Sequence, residues 1–168
     1  MRTKVDILKP CHRGEPCPRF FLPNRSVHLV DIENLIGHGR ASIYELASAA
    51  AEYINVAPVV GGDLVVIGCD RGLRLNVGLA WPGVRVVAGT GRDGAETALL
   101  ADFCVSPLLR RFRQVVIGSG DHAFAGLAWD LTMLGTVVGV VAPPGALAKE
   151  LASAASWSQC FPALAVAA

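Results

Sequence analysis

Five short apolar runs, separated by stretches of helical periodicity, constrain the fold of this chain more than any other feature. They are Val27–Asp31, Leu64–Gly68, Val84–Ala88, Val115–Gly118 and Thr136–Val141. Each is apolar at nearly every position rather than at every second one, so each has to be buried on both faces. A parallel sheet with helices above and below provides that environment. Ser42–Ile54, Arg71–Leu79, Glu96–Leu109, Ala123–Leu134 and Ala146–Ala155 read as the intervening helices, with Ser42 and Glu45 spaced as a capping box. The expected fold class is α/β, a three-layer Rossmann-like sandwich around a mainly parallel sheet of about five strands.

The chain has 168 residues, of which 52 % are hydrophobic, enough for one well-filled core. Residues 1–25 stand apart: they are Pro-rich, lack periodicity and carry six Lys/Arg against two Asp/Glu, leaving nine against twelve for the remainder. The expected organisation is a disordered basic arm over 1–25 and a folded domain over 26–168. A basic arm beside an acidic body suits a polyanionic partner, although a merely solvated tail is the simpler reading of the arm alone.

The five cysteines, Cys11, Cys17, Cys69, Cys104 and Cys160, are an odd and scattered set rather than a disulfide framework, and Cys69 and Cys104 read as core thiols. Cys11, His12 and Cys17 lack a fourth ligand at zinc spacing. The longest apolar stretch, Gly135 to Ala148, is broken by Pro143 and Pro144, and the first ten residues have no apolar leader core. These features predict a cytoplasmic chain without a membrane partner, and leave monomer and homodimer both open.

Acidic residues recur where the predicted strands end. Asp31 closes the first run, Glu96 opens the helix after the third, and Asp121 follows the fourth across Ser119 and Gly120. Right-handed crossovers collect strand ends along one edge of a parallel sheet, so these acids are expected in one crevice. Carboxylates gathered in this way repel one another unless a divalent cation joins them, which points to Mg²⁺ or Mn²⁺ and to phosphate chemistry. Each acid also has an ordinary alternative as a turn or helix cap.

Around them, Asn34 can orient a carboxylate or a water, Ser119 can bind phosphate or orient Asp121, and His122 can contact phosphate or shuttle a proton. Arg92 can bind phosphate or pair with Asp93. Asp102 is a weaker candidate acid, because six residues of helix rotate it off the stripe of Glu96. His28, inside a strand, reads as a hydrogen-bonded core residue, while Arg110, Arg111 and Arg113 read as a solvated face. Gly89-Thr-Gly-Arg-Asp-Gly94 spells a dinucleotide-loop pattern, but Asp93 and Glu96 place negative charge where a pyrophosphate would sit. The glycines read instead as a sharp turn that aims Glu96 at the crevice.

Taken in order and spacing, three motifs resemble the NYN branch of the PIN-like nuclease superfamily. They are Val-Asp-Ile-Glu-Asn ending at Asn34, Asp-Gly-Ala-Glu-Thr-Ala-Leu-Leu-Ala-Asp from Asp93 to Asp102, and Val-Val-Ile-Gly-Ser-Gly-Asp ending at Asp121. The likeness spans roughly Val27 to Ala155. It implies a PIN-like fold and a metal-dependent endoribonuclease that hydrolyses RNA phosphodiester bonds. Asp31, Glu96 and Asp121 would be the catalytic, metal-binding acids, Asp102 a further acid, and Asn34, Ser119, His122 and Arg92 the substrate-side groups. Two departures stand out. Glu96 replaces a common Asp, and Ala123 stands where the family often has a second acid after Asp121. The second departure keeps open an RNA-binding or scaffold domain without turnover. A third reading, a nucleotide-binding regulator built on the glycine-rich loop, remains beside these two.

Overall fold

The computed structural model describes residues 25–105 and 112–164. The arm through residue 24, with Cys11 and Cys17, lies outside the described residues, as do Arg110, Arg111 and the side chain of Cys104. β1 (Ser26–Asp31) runs directly into a short helix α1 (Ile32–Ile36), followed by α2 (Ile43–Val56) and β2 (Leu64–Asp70). Then come α3 (Arg74–Ala80), β3 (Arg85–Gly89), α4 (Gly94–Val105), β4 (Gln114–Gly118) and α5 (Ala125–Met133). β5 (Val137–Ala142), α6 (Lys149–Ala154) and β6 (Trp157–Cys160) complete the order. Single 3-10 turns at Arg71–Leu73 and His122–Phe124 lead into α3 and α5.

All strand pairings are parallel, and the order across the sheet is β3-β2-β1-β4-β5-β6. The sheet therefore has six strands where the apolar runs predict about five. β6 was hidden because Trp-Ser-Gln-Cys is short, polar at two of its four positions and mostly exposed at the edge of the sheet. Strand order reverses between β1 and β4, and the ends of these two strands flank the crevice at which open α/β sheets present ligand sites.

The near-continuous apolar runs arise from burial on both faces. Val30, Ile67, Val116 and Val141 pack with Leu35, Tyr53 and Val77 under α1, α2 and α3. Leu29, Val66, Ile117 and Val140 pack with Leu99, Ala128 and Leu151 under α4, α5 and α6. α2 starts as its spacing predicts: Glu45 N–H donates to Ser42 Oγ at 3.2 Å, and Ser42 N–H donates to Glu45 Oε2 at 2.8 Å. Cys69 is a core thiol that burial pushes up to about 11, and Cys160 is exposed. Among the described residues, no helix is long and apolar enough to cross a membrane.

Candidate functional site

β1 delivers Asp31 to the carboxyl edge of the sheet as the residue that caps α1. Its Oδ1 accepts from Asn34 N–H at 3.2 Å, and the residue is only 7 % exposed. Burial pushes the carboxyl up to about 6, with the Asn34 hydrogen bond opposing the rise and the charges of Glu33 and Asp121 adding to it.

The exit of β4 is tied to the exit of β1. Gly120 N–H donates to Asn34 Oδ1 at 2.9 Å, so the Asn34 side chain is a strut between two strand ends rather than a free substrate contact. Ser119 is fully buried, and its Oγ accepts from Asp121 N–H at 3.2 Å. Of its two expected roles, the structure places it in the second, orienting Asp121. Asp121 caps the following turn through Oδ1, which accepts from Ala123 N–H at 3.0 Å, and the same oxygen lies 2.9 Å from His122 Nδ1. The His122 side chain is 81 % exposed, so its far edge faces solvent.

Glu96 arrives from the other side, in the first turn of α4. Its pKa is raised first by burial, then by the charges of Asp121, Asp93 and Asp31, and is eased by His122. Asp31, Glu96 and Asp121 thus act on one another electrostatically, as expected of acids gathered at one edge. Among the described residues, however, no group of three or more His, Cys, Asp or Glu is assembled to hold a metal ion. The donor set nevertheless fits a hydrated Mg²⁺ or Mn²⁺ better than a closed cage. It consists of hard oxygens with no Lys or Arg paired to them among the described residues. Mg²⁺ in particular commonly keeps several waters and takes only one or two carboxylates.

The loop that positions Glu96 explains its glycines without a cofactor. A Cβ on Gly89 would lie 1.9 Å from the carbonyl oxygen of Gly94, so the two ends of the loop touch and only glycine fits. Asp93 adopts φ 60°, a left-handed conformation uncommon outside glycine, and its carbonyl accepts from Thr97 N–H at 3.0 Å as α4 begins. Arg92 is exposed in this turn and has no ion-pair partner among the described residues, so the expected pairing with Asp93 does not form.

Asp102 is a correction. It pairs with Arg85, the first residue of β3, and therefore sits toward the amino edge of the sheet, away from the crevice. Six residues of helix carry it about 9 Å along α4 as well as around it. Conversely, sequence reasoning missed Asp70 and Glu33. Asp70 ends β2, one strand from Asp31, and its Oδ1 accepts from Gly72 N–H at 2.8 Å. The Glu33 carboxyl is raised by burial and by the Asp70 charge, against a hydrogen bond from the Asp70 backbone. The signal is present, because Leu64–Asp70 ends in an acid just as β1 does, but the apolar run that predicts the strand ends at Gly68.

A crystal structure of a protein of unknown function from Vibrio parahaemolyticus has a similar fold, with a TM-score of 0.55 and 16 % identity over 82 % of this chain and 92 % of that one. At that identity the likeness speaks to the fold alone. No family model matches the chain, and no curated protein does.

Proposed function

We propose that the chain is a metal-dependent ribonuclease of the NYN type, cutting RNA phosphodiester bonds in the crevice at the carboxyl edge of the sheet. The observation that carries this reading is the convergence of Asp31, Glu96 and Asp121 from three different strand exits, with Asp31 held near 6 and no Lys or Arg paired to them among the described residues. Sites that accumulate such uncompensated charge are enriched in function. When bound, Mg²⁺ or Mn²⁺ would relieve that repulsion, lower the pKa of a water and offset charge on the phosphorane oxygens.

The chain's own residues supply the geometry. Asn34 locks the exits of β1 and β4 together, Ser119 fixes the backbone of Asp121, and the Asp121 carboxylate holds His122 by Nδ1. His122 Nε2 is then available to hand a proton to the leaving oxygen, and Arg92 is available to a phosphate beside the crevice. The test is cleavage of a labelled single-stranded RNA with Mn²⁺ and its loss in EDTA. A second reading, an RNA-binding domain without turnover, is favoured by Ala123 in place of an acid and by the lack of an assembled three-ligand group among the described residues. Under that reading the wild-type chain binds the RNA and leaves it intact.

A further inference from the structure

At the opposite, amino edge of the sheet lies a cavity of about 200 Å³, on the face shared with α2. Ser26 and His28 of β1, Gln114 of β4, and Trp157 and Gln159 of β6 border it, with Pro58 after α2 closing one side. We propose that this cavity is a nucleotide site that takes one planar nucleobase, with the attached phosphate directed to the rim. The proposal stands independently of the hydrolytic reading.

The aromatic wall is built deliberately into the sheet. A Cβ on Gly139 would lie 2.0, 2.3 and 2.5 Å from Cζ2, Cε2 and Cη2 of Trp157, so the indole is seated on the bare backbone of β5. Any side chain at 139 would lift it. A rigid, half-buried indole is a stacking platform for a base. Gln114 and Gln159 each place an amide donor beside an amide acceptor, the pattern that pairs with the edge of a base. The His28 ring is held in place by a 3.2 Å hydrogen bond between Nδ1 and the Tyr53 hydroxyl, giving the site a fixed floor. The volume suits one small heteroaromatic ring system, being below the roughly 300–1,000 Å³ typical of pockets for larger ligands.

Two arginines stand at the strand starts beside the cavity. Arg25 and Arg113 immediately precede Ser26 and Gln114, and Arg113 N–H donates to Arg25 O at 3.1 Å, bringing the two positions together. Arg113 is exposed and has no ion pair among the described residues. Arg25 lies over the Phe112 ring at 5.1 Å from its centroid. The Arg25 guanidinium also donates to the Gly62 carbonyl, so of the two Arg113 is the one left to meet a phosphate, at an edge that also holds the Asp63 carboxylate.

The experiment titrates the full chain with adenosine monophosphate and, separately, with a short oligoadenylate, in EDTA so that nothing is cut, following tryptophan fluorescence. The expected result is saturable quenching by one or both. Trp157→Ala, Gln114→Ala and Gln159→Ala should each weaken it at least about tenfold, the scale of one lost stacking or paired contact. Trp129→Phe should leave it unchanged. Quenching by the mononucleotide assigns a free nucleotide; quenching by the oligomer alone, with the same variants affected, assigns one base of a chain. No binding of either probe overturns the proposal. So does undiminished binding in the exposed Gln159→Ala variant together with Gln114→Ala, both retaining the wild-type circular dichroism spectrum.

Discussion

At the carboxyl edge of the sheet burial, and after it neighbouring carboxylates including Asp121, raise the Asp31 and Glu96 pKa values, whereas at the amino edge the buried acid Asp63 is fully accommodated. Asp63 Oδ1 accepts from Ser26 N–H at 2.7 Å and Oδ2 from Val60 N–H at 2.9 Å, with His28 Nε2 3.7 Å from Oδ2. Both edges use a buried carboxyl group held by backbone donors, yet Asp63 faces a histidine whereas Asp31 faces the neighbouring anions Glu33 and Asp121. The first arrangement stabilises the fold. The second costs stability, which under the proposed function is exchanged for a place where a cation can bind.

The comparison is broken most directly by activity. Asp121→Asn should preserve the cap to Ala123, remove one anionic ligand and lower Mn²⁺-dependent RNA cleavage by well over about tenfold, with RNA affinity held or raised as a negative charge leaves the crevice. Single-turnover assays alongside filter binding separate the two effects. Equal cleavage by wild type, Asp31→Asn and Asp121→Asn would trace the activity to a contaminant and end the catalytic reading.

The same Asp-to-Asn change should have opposite signs at the two edges when stability is measured. The folded Asp31 pKa lies at about 6 against an ordinary 3.8, so the native state binds the proton more tightly. The cost of its charge is absent below about 3.8 and complete above about 6. Asp31→Asn should therefore stabilise the chain by roughly 1–3 kcal/mol at pH 7.5, and the gap should close toward pH 4 in urea melts. Asp63→Asn should destabilise by about 1–3 kcal/mol at pH 7.5, because an amide cannot accept from both Ser26 and Val60. Two changes of the same sign at neutral pH would mean that the two edges do not differ in the way their contacts imply.

Much of this contrast was legible in the chain. β1 and β4 announce themselves by unbroken apolar runs, and Asp31 and Asp121 by following them, since a parallel sheet leaves no other direction for its strand ends. β6 was not legible, because an edge strand needs burial on neither polar side chain and so carries little periodicity. Asp63 had no signature either. Its role depends on Ser26, 37 residues away, a pairing that only the register of β1 beside β2 creates. The misread Asp102 shows a different limit: spacing on a helix gives rotation readily, but which edge of the sheet a residue reaches depends also on rise along the axis.

Acid should report the amino edge. Burial lowers the His28 pKa, while the Asp63 charge and hydrogen-bonding interaction oppose the shift. A histidine with a depressed folded pKa contributes stability that is whole above the unfolded value of about 6.5 and is lost as pH falls through the lowered folded value. His28→Gln should flatten that part of the pH–stability curve, read by thermal melts between pH 7.5 and 5. An unchanged slope would show that the ring is not held neutral by its burial.

The smallest effect is expected at Asp102, which tests where the crevice ends. Its partner Arg85 is half-exposed, so the pair contributes at most about 1 kcal/mol, and solvent screening reduces even that. Asp102→Asn should leave Mn²⁺-dependent cleavage within about twofold of wild type, because the changed charge lies at the far end of α4 from Glu96. A loss approaching that of Asp121→Asn would mean that the acidic site extends along the helix to the amino edge. The division of the sheet into a strained edge and a satisfied one would then fail, since a single field would span both.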